Sequence, residues 1–142
     1  MSIKFDDDPN VAVGVSLPFV RDSRSGWFDQ SFTTLEAAKS NLRNLLLTMK
    51  GERLMQPNFG TDLMKLVFEQ DDGTMVDRIR ETIIDAVEYW LPYLNLNTIE
   101  VNNDIDTDDM NHNRFNVKLV FSIKNVPDKF ETVSFSLNAT NL

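Results

Sequence analysis

The chain has 142 residues, with 14 Lys and Arg against 22 Asp and Glu and a formal net charge of -8 at pH 7. This is enough chain for one domain that buries roughly two-thirds of its unfolded surface, and its acidic balance opposes binding to nucleic-acid phosphates and anionic lipid headgroups. With no cysteine, disulfides, thiolate metal sites and cysteine nucleophiles are excluded, and folding in a reducing cytoplasm is expected.

Residues 1–32 show no sustained period and are punctuated by Pro9, Gly14, Pro18 and Gly26. The start carries Asp6, Asp7 and Asp8 where a secretory signal would carry positive charge, so no export is expected. Val11, Val13 and Val15 alternate, and Phe19, Trp27 and Phe28 are costly to leave in water. An arm that lies on its own domain or on a neighbour is therefore expected, ahead of a single domain at 33–142.

Thr33 and Glu36 have the spacing of a capping box. They predict a helix over 34–49, with Leu35, Ala38, Leu42, Leu45, Leu46 and Met49 on its apolar stripe and Gly51 ending it. Thr61 or Asp62 can cap a short helix reaching Glu69, with Leu63, Leu66 and Val67 inward. A third helix is predicted over 74–91, with Val76, Ile79, Ile83, Val87 and Trp90 on its stripe and Pro92 as its stop.

Beyond Pro92 the period becomes two. Ile99 and Val101 mark one strand, Phe115, Val117, Leu119, Phe121 and Ile123 a second, and Val133, Phe135 and Leu137 a third. Residues 125–129, with Pro127, read as the turn between the last two. The expected class is α+β: three helices from the N-terminal half packed on one face of a small antiparallel sheet that ends in a C-terminal hairpin. The longest apolar runs fall far short of the ~20 residues of a membrane span.

Few residues suggest chemistry. Asp104, Asp106 and Asp108 have the spacing that opens a calcium loop, but its sixth position is Asp109 and its twelfth Phe115, so a solvated loop is the better reading. The single histidine, His112, lacks partners for a zinc site. Glu52, Asp62, Glu69 and Glu88 lie near apolar residues and form the only pool for glycoside hydrolysis, yet their spacing selects no pair. No cofactor or metal is expected. Phe59 and Gly60 read as a tight turn, with Phe59 in the core and Gly60 in a backbone conformation that other residues resist.

The C-terminal hairpin carries few charges: Arg114, Lys118 and Glu131. Its edge could therefore accept a strand from a partner.

The Lys50, Gly51, Glu52, Arg53 turn after an amphipathic helix, followed by the 57–63 run from Pro57 through Phe59, Gly60 and Asp62 to Leu63, resembles the phage baseplate wedge family long labelled "lysozyme-like". Relatives of that family occur in type VI secretion baseplates and other contractile injection devices. The resemblance runs from about Thr33 to the C-terminus. It implies a tail component assembled in the host cytoplasm, present in six copies around the tube. It further implies binding to the helical core bundle formed by other wedge proteins, with the sheet imitating a sheath subunit so that the first sheath ring docks by strand exchange.

Arg53, Pro57, Phe59, Gly60 and Leu63 carry the family signature. Leu91, Pro92 and Tyr93 stand where the family commonly has Glu-Pro-Arg, so only the proline matches. On the hairpin, Phe130, Val133 and Phe135 are the candidates for partner contact. An assembly protein is thus expected. A muralytic tail enzyme is the alternative, and a generic acidic adaptor a third reading.

Overall fold

The computed structural model describes residues 12–17, 30–69, 73–104 and 114–138. Two-residue strands β1 (Gly14–Val15) and β2 (Gln30–Ser31) pair antiparallel. Helices α1 (Thr34–Leu47), α2 (Leu63–Val67) and α3 (Met75–Trp90) follow. The chain then forms β3 (Leu94–Asp104), β4 (Arg114–Ile123) and β5 (Val126–Asn138), an antiparallel sheet with β4 in the centre.

α1 starts where its capping residues place it. The Thr33 hydroxyl accepts from the Glu36 amide at 3.2 Å, and the Glu36 carboxylate accepts from the Phe32 amide at 3.3 Å, one residue further back than the capping box expects. Its end differs from expectation. The helix stops at Leu47, not at Gly51, because Met49 forms a parallel bridge with Thr61. That bridge takes the Thr48 carbonyl and the Lys50 amide out of helical pairing and gives both to Thr61, at 2.8 and 3.3 Å.

All three helices cover one face of the sheet. The side chains of Leu42, Leu45, Leu63, Ile79 and Ile83 are fully buried against those of Phe115, Leu119, Phe121 and Leu137. Each such side chain contributes ~1.5–3 kcal/mol by leaving water. β3 reaches this face in two halves. Leu94 and Leu96 oppose Ile123 and Phe121, while Ile99 and Val101 oppose Leu119 and Val117, and the change of parity is absorbed by a bulge at Asn97. Asn97 Oδ1 accepts from the Ser122 hydroxyl at 3.1 Å on the sheet's other face.

The β4–β5 connection is tighter than the sequence suggests. Ile123 pairs with Val126 across the 124–125 turn, and residues 127–129 form a second irregularity before Phe130 pairs with Ser122. Pro127 thus lies within β5, where it gives up no ladder hydrogen bond, and not in the turn. The extra residues put Glu131 opposite Phe121, on the helix-covered face, where its carboxylate meets Lys39 of α1 at 2.7 Å.

The described part of the arm lies on the back of α1, turned away from the sheet. The Leu17 amide donates to the Ser40 hydroxyl at 3.2 Å, and Ser31 and Ser40 are buried there. A Cβ on Gly14 would come within 3.2 Å of Ser31 Oγ and 3.5 Å of Ala37 Cβ, so the small residue permits this approach. Val13 and Val15 stay largely exposed, so their alternation does not bury them. Phe19, Trp27, Phe28, Asp106, Asp108 and His112 lie outside the described residues.

Candidate docking site

The signature residues converge on the loop that joins α1 to α2. Gly60 has φ +112°, and a Cβ there would stand 2.3 Å from the Thr48 carbonyl oxygen. Only glycine lets these two backbone segments touch. Next to it, buried Thr61 donates its hydroxyl to the Leu46 carbonyl at 2.9 Å, taking up one of the acceptors left over at the end of α1. Pro57 accepts from the Gly51 amide at 2.7 Å, and Leu63 is fully buried.

Arg53 and Phe59 form the outer wall of this loop. The guanidinium lies 4.0 Å from the Phe59 ring centre and donates to Asn44 Oδ1 at 3.1 Å. Phe59 meets Trp90 of α3 edge-to-face at 5.1 Å, and Trp90 meets Tyr89 in the same way. The row from Arg53 to Tyr89 therefore ties the loop after α1 to the end of α3. It borders an open groove of about 560 Å³ lined by Lys50, Asp62, Thr82, Asp85, Tyr89 and Trp90.

Asp62 pairs with Lys65 at 2.8 Å and with Lys50 at 3.3 Å. The hydrogen bond from Lys65, aided by Lys50, holds its carboxyl below the usual aspartate range against an opposing effect of burial. This is the reverse of what a general acid needs. The other members of the carboxylate pool are placed elsewhere: Glu52 Oε2 accepts from the Met49 amide at 3.0 Å, Glu69 pairs with Arg78, and Glu88 lines a separate groove between α3 and β3.

At the 91–93 junction Leu91 turns into the core, while Pro92 is exposed. Tyr93 accepts from Asn41 Nδ2 at 3.4 Å through its hydroxyl, and its carbonyl accepts from the Lys124 amide at 3.0 Å. The hairpin candidates separate by face. Val133 and Phe135 are buried under the helices, whereas Phe130 pairs with Ser122 on the opposite face and is 56% exposed. Among the described residues, no strand pairs with the outer edge of β5.

The profile of a family described as Baseplate wedge protein gp25 matches residues 34–128. The chain belongs to this wedge family. Its matched region opens on the first residue of α1 and closes in the irregular start of β5. The baseplate wedge protein gp25 of Enterobacteria phage T4 is 28% identical over 110 residues, covering 75% of this chain and 77% of that protein. Two solved structures share the wedge fold at lower identity. A Geobacter sulfurreducens protein named as a candidate tail lysozyme has a TM-score of 0.63 at 19% identity, covering 74% of this chain and 90% of that one. A chain of the anti-feeding prophage baseplate has a TM-score of 0.56 at 17% identity, covering 87% and 82%. As a wedge-family member the chain is a structural component of contractile-tail baseplates.

Sequence reasoning missed Asn44 and Trp90 as partners of the Arg53 and Phe59 pair. It also passed over Leu54 and Met55, which are 97% and 95% exposed. The signal for the latter was present: two large apolar residues in a row inside a loop.

Proposed function

We propose that this wedge protein starts sheath assembly, with the outer edge of β5 accepting a strand from a subunit of the first sheath ring. The observation that carries this reading is the position of β5, a 13-residue strand at the rim of the sheet whose outer side no described strand occupies. Its inward residues Val133, Phe135 and Leu137 are locked into the core, which holds the strand in one register. Pro127, Asp128 and Lys129 block only its start; from Phe130 to Leu137 the only charge is Glu131, which is engaged by Lys39, so this stretch of the rim lacks the charged blockers that usually protect an edge.

Each added backbone hydrogen bond is worth a net ~0.5–1.5 kcal/mol, so one short strand binds weakly. Six copies around the tail would turn that into a firm ring. The helical side, with the Arg53, Pro57, Phe59, Gly60 and Leu63 loop and the Leu91, Pro92, Tyr93 junction, would seat the molecule on the other wedge proteins. In this reading the protein works in the tail baseplate of the virion after assembly in the host cytoplasm, and it is not an enzyme.

The test mixes the purified chain with its wedge partners and its sheath protein and images the products by electron cryo-microscopy. A sheath strand alongside β5 is the expected result. Wedges that form while sheath fails to add, or sheath that docks away from β5, would defeat the proposal.

A further inference from the structure

The sides of α1 are fixed by what each one touches. Ala38, Leu42, Leu45 and Leu46 face the core, and Asn41 reaches Tyr93 just before β3. Ser40 accepts from the Leu17 amide of the arm, and Lys39 meets Glu131 of β5 at 2.7 Å. Arg43 follows Lys39 by one turn, so it shares the side of α1 that looks over the rim of β5. It is partly buried there, and among the described residues it pairs with no acid. The nearby acids are engaged elsewhere. Glu131 holds Lys39, Glu36 lies two turns back and accepts from the Phe32 amide, and Asp62 sits between Lys50 and Lys65. A guanidinium drawn partly out of water favours a carboxylate beside it.

We infer that Arg43 selects the strand that β5 accepts, by pairing with a carboxylate on the helix-facing side of that strand. Lys39 and Glu131 already make this kind of contact one strand further in, from the same side of the same helix. An added strand lies only ~4.8 Å beyond β5, a step that the long arginine side chain can span. The two faces of β5 set the rest of the segment's chemistry. Val133, Phe135 and Leu137 are buried under the helices, so the inward residues flanking the carboxylate are apolar. Thr132, Ser134 and Ser136 are exposed and uncharged, so the outward residues are uncharged and polar. The inference rests on the strand-addition reading and deepens it by naming the class of segment that the rim takes.

The experiment adds the sheath protein of the same tail to wedges that contain the full chain as wild type, Arg43→Lys, Arg43→Gln or Arg43→Glu. It reads the sheath concentration that half-saturates addition. Arg43 has no acid to lose in the free chain, so all four proteins should melt together. Arg43→Gln should raise the half-saturating concentration ~10-fold and Arg43→Glu further, while Arg43→Lys, which keeps the charge, should recover part of the loss. Added salt should narrow the gap between wild type and Arg43→Gln. Wedges with Arg43→Glu should regain addition when the sheath carries Lys in place of the acid that electron cryo-microscopy places nearest position 43. Equal half-saturation for all four chains, or a strand beside β5 with no acid facing Arg43, would overturn the inference and leave strand addition intact. A melting loss that matches the loss of addition would assign Arg43 to the fold and defeat the inference as well. Wild-type wedges that add no sheath at β5 would overturn both readings.

Discussion

Arg53 places its guanidinium 4.0 Å from the centre of the Phe59 ring, and the far edge of that ring is held by Trp90 of α3. The pair thus joins Asn44 of α1 to Trp90 at the last residue of α3. Arg53→Ala should lower stability by ~1–2 kcal/mol through loss of the cation–π contact and the Asn44 hydrogen bond. Arg53→Lys should recover only part of this, because an ammonium cannot lie flat on the ring and reach Asn44 at once. Urea unfolding with an unchanged m-value would measure both. A fully stable Arg53→Lys protein would show that charge alone suffices.

Gly60 and Gly51 both have positive φ, +112° and +89°, but only Gly60 touches backbone where a Cβ would go. Gly51→Ala should therefore cost the conformational penalty alone, ~1–2 kcal/mol. Gly60→Ala must in addition push away the Thr48 carbonyl and should cost more than ~3 kcal/mol. Paired denaturation curves would compare them, and equal losses would remove the argument for close approach.

Lys39 and Glu131 join α1 to β5 at 2.7 Å, with side chains 44% and 34% exposed. A double-mutant cycle on Lys39→Met and Glu131→Gln should return a coupling of only ~0.2–1 kcal/mol. The coupling should shrink as salt is raised. A value near zero at low salt would assign Glu131 no part in holding the helix to the sheet.

Asp62 has its folded pKa depressed by Lys65 and Lys50. Its contribution to stability is therefore present above the unfolded pKa of about 4 and is lost as pH falls through the lower folded value. Asp62→Asn should lower the melting temperature at neutral pH. It should also make the curve of stability against pH flatter below about pH 4 than in wild type. Parallel acid limbs for the two proteins would show that Asp62 is not linked to folding.

The identity of the three helices and the three long strands, their apolar faces and the wedge signature could be read in the chain itself, because a period of 3.6 or 2 and a short motif depend only on neighbours in sequence, whereas the two-residue strands β1 and β2 carry no such period. The stripe of Ile79, Ile83 and Val87 and the alternation from Phe115 to Ile123 both became core. The change of parity between Leu96 and Ile99 emerged only from pairing with β4.

Tertiary structure decided the rest, since those features belong to pairs of distant residues. Thr61 ended α1 at Leu47 by taking its backbone partners. The three extra residues at 127–129 turned Glu131 inward and Phe130 outward. Packing likewise put Val133 and Phe135 under the helices, so the hairpin can offer a partner its rim but not those two side chains. Local pattern states which side of an element is apolar. Only the assembled fold states what that side meets and which edge is left over, because hydrogen-bond pairing and close packing are satisfied between segments far apart in the chain.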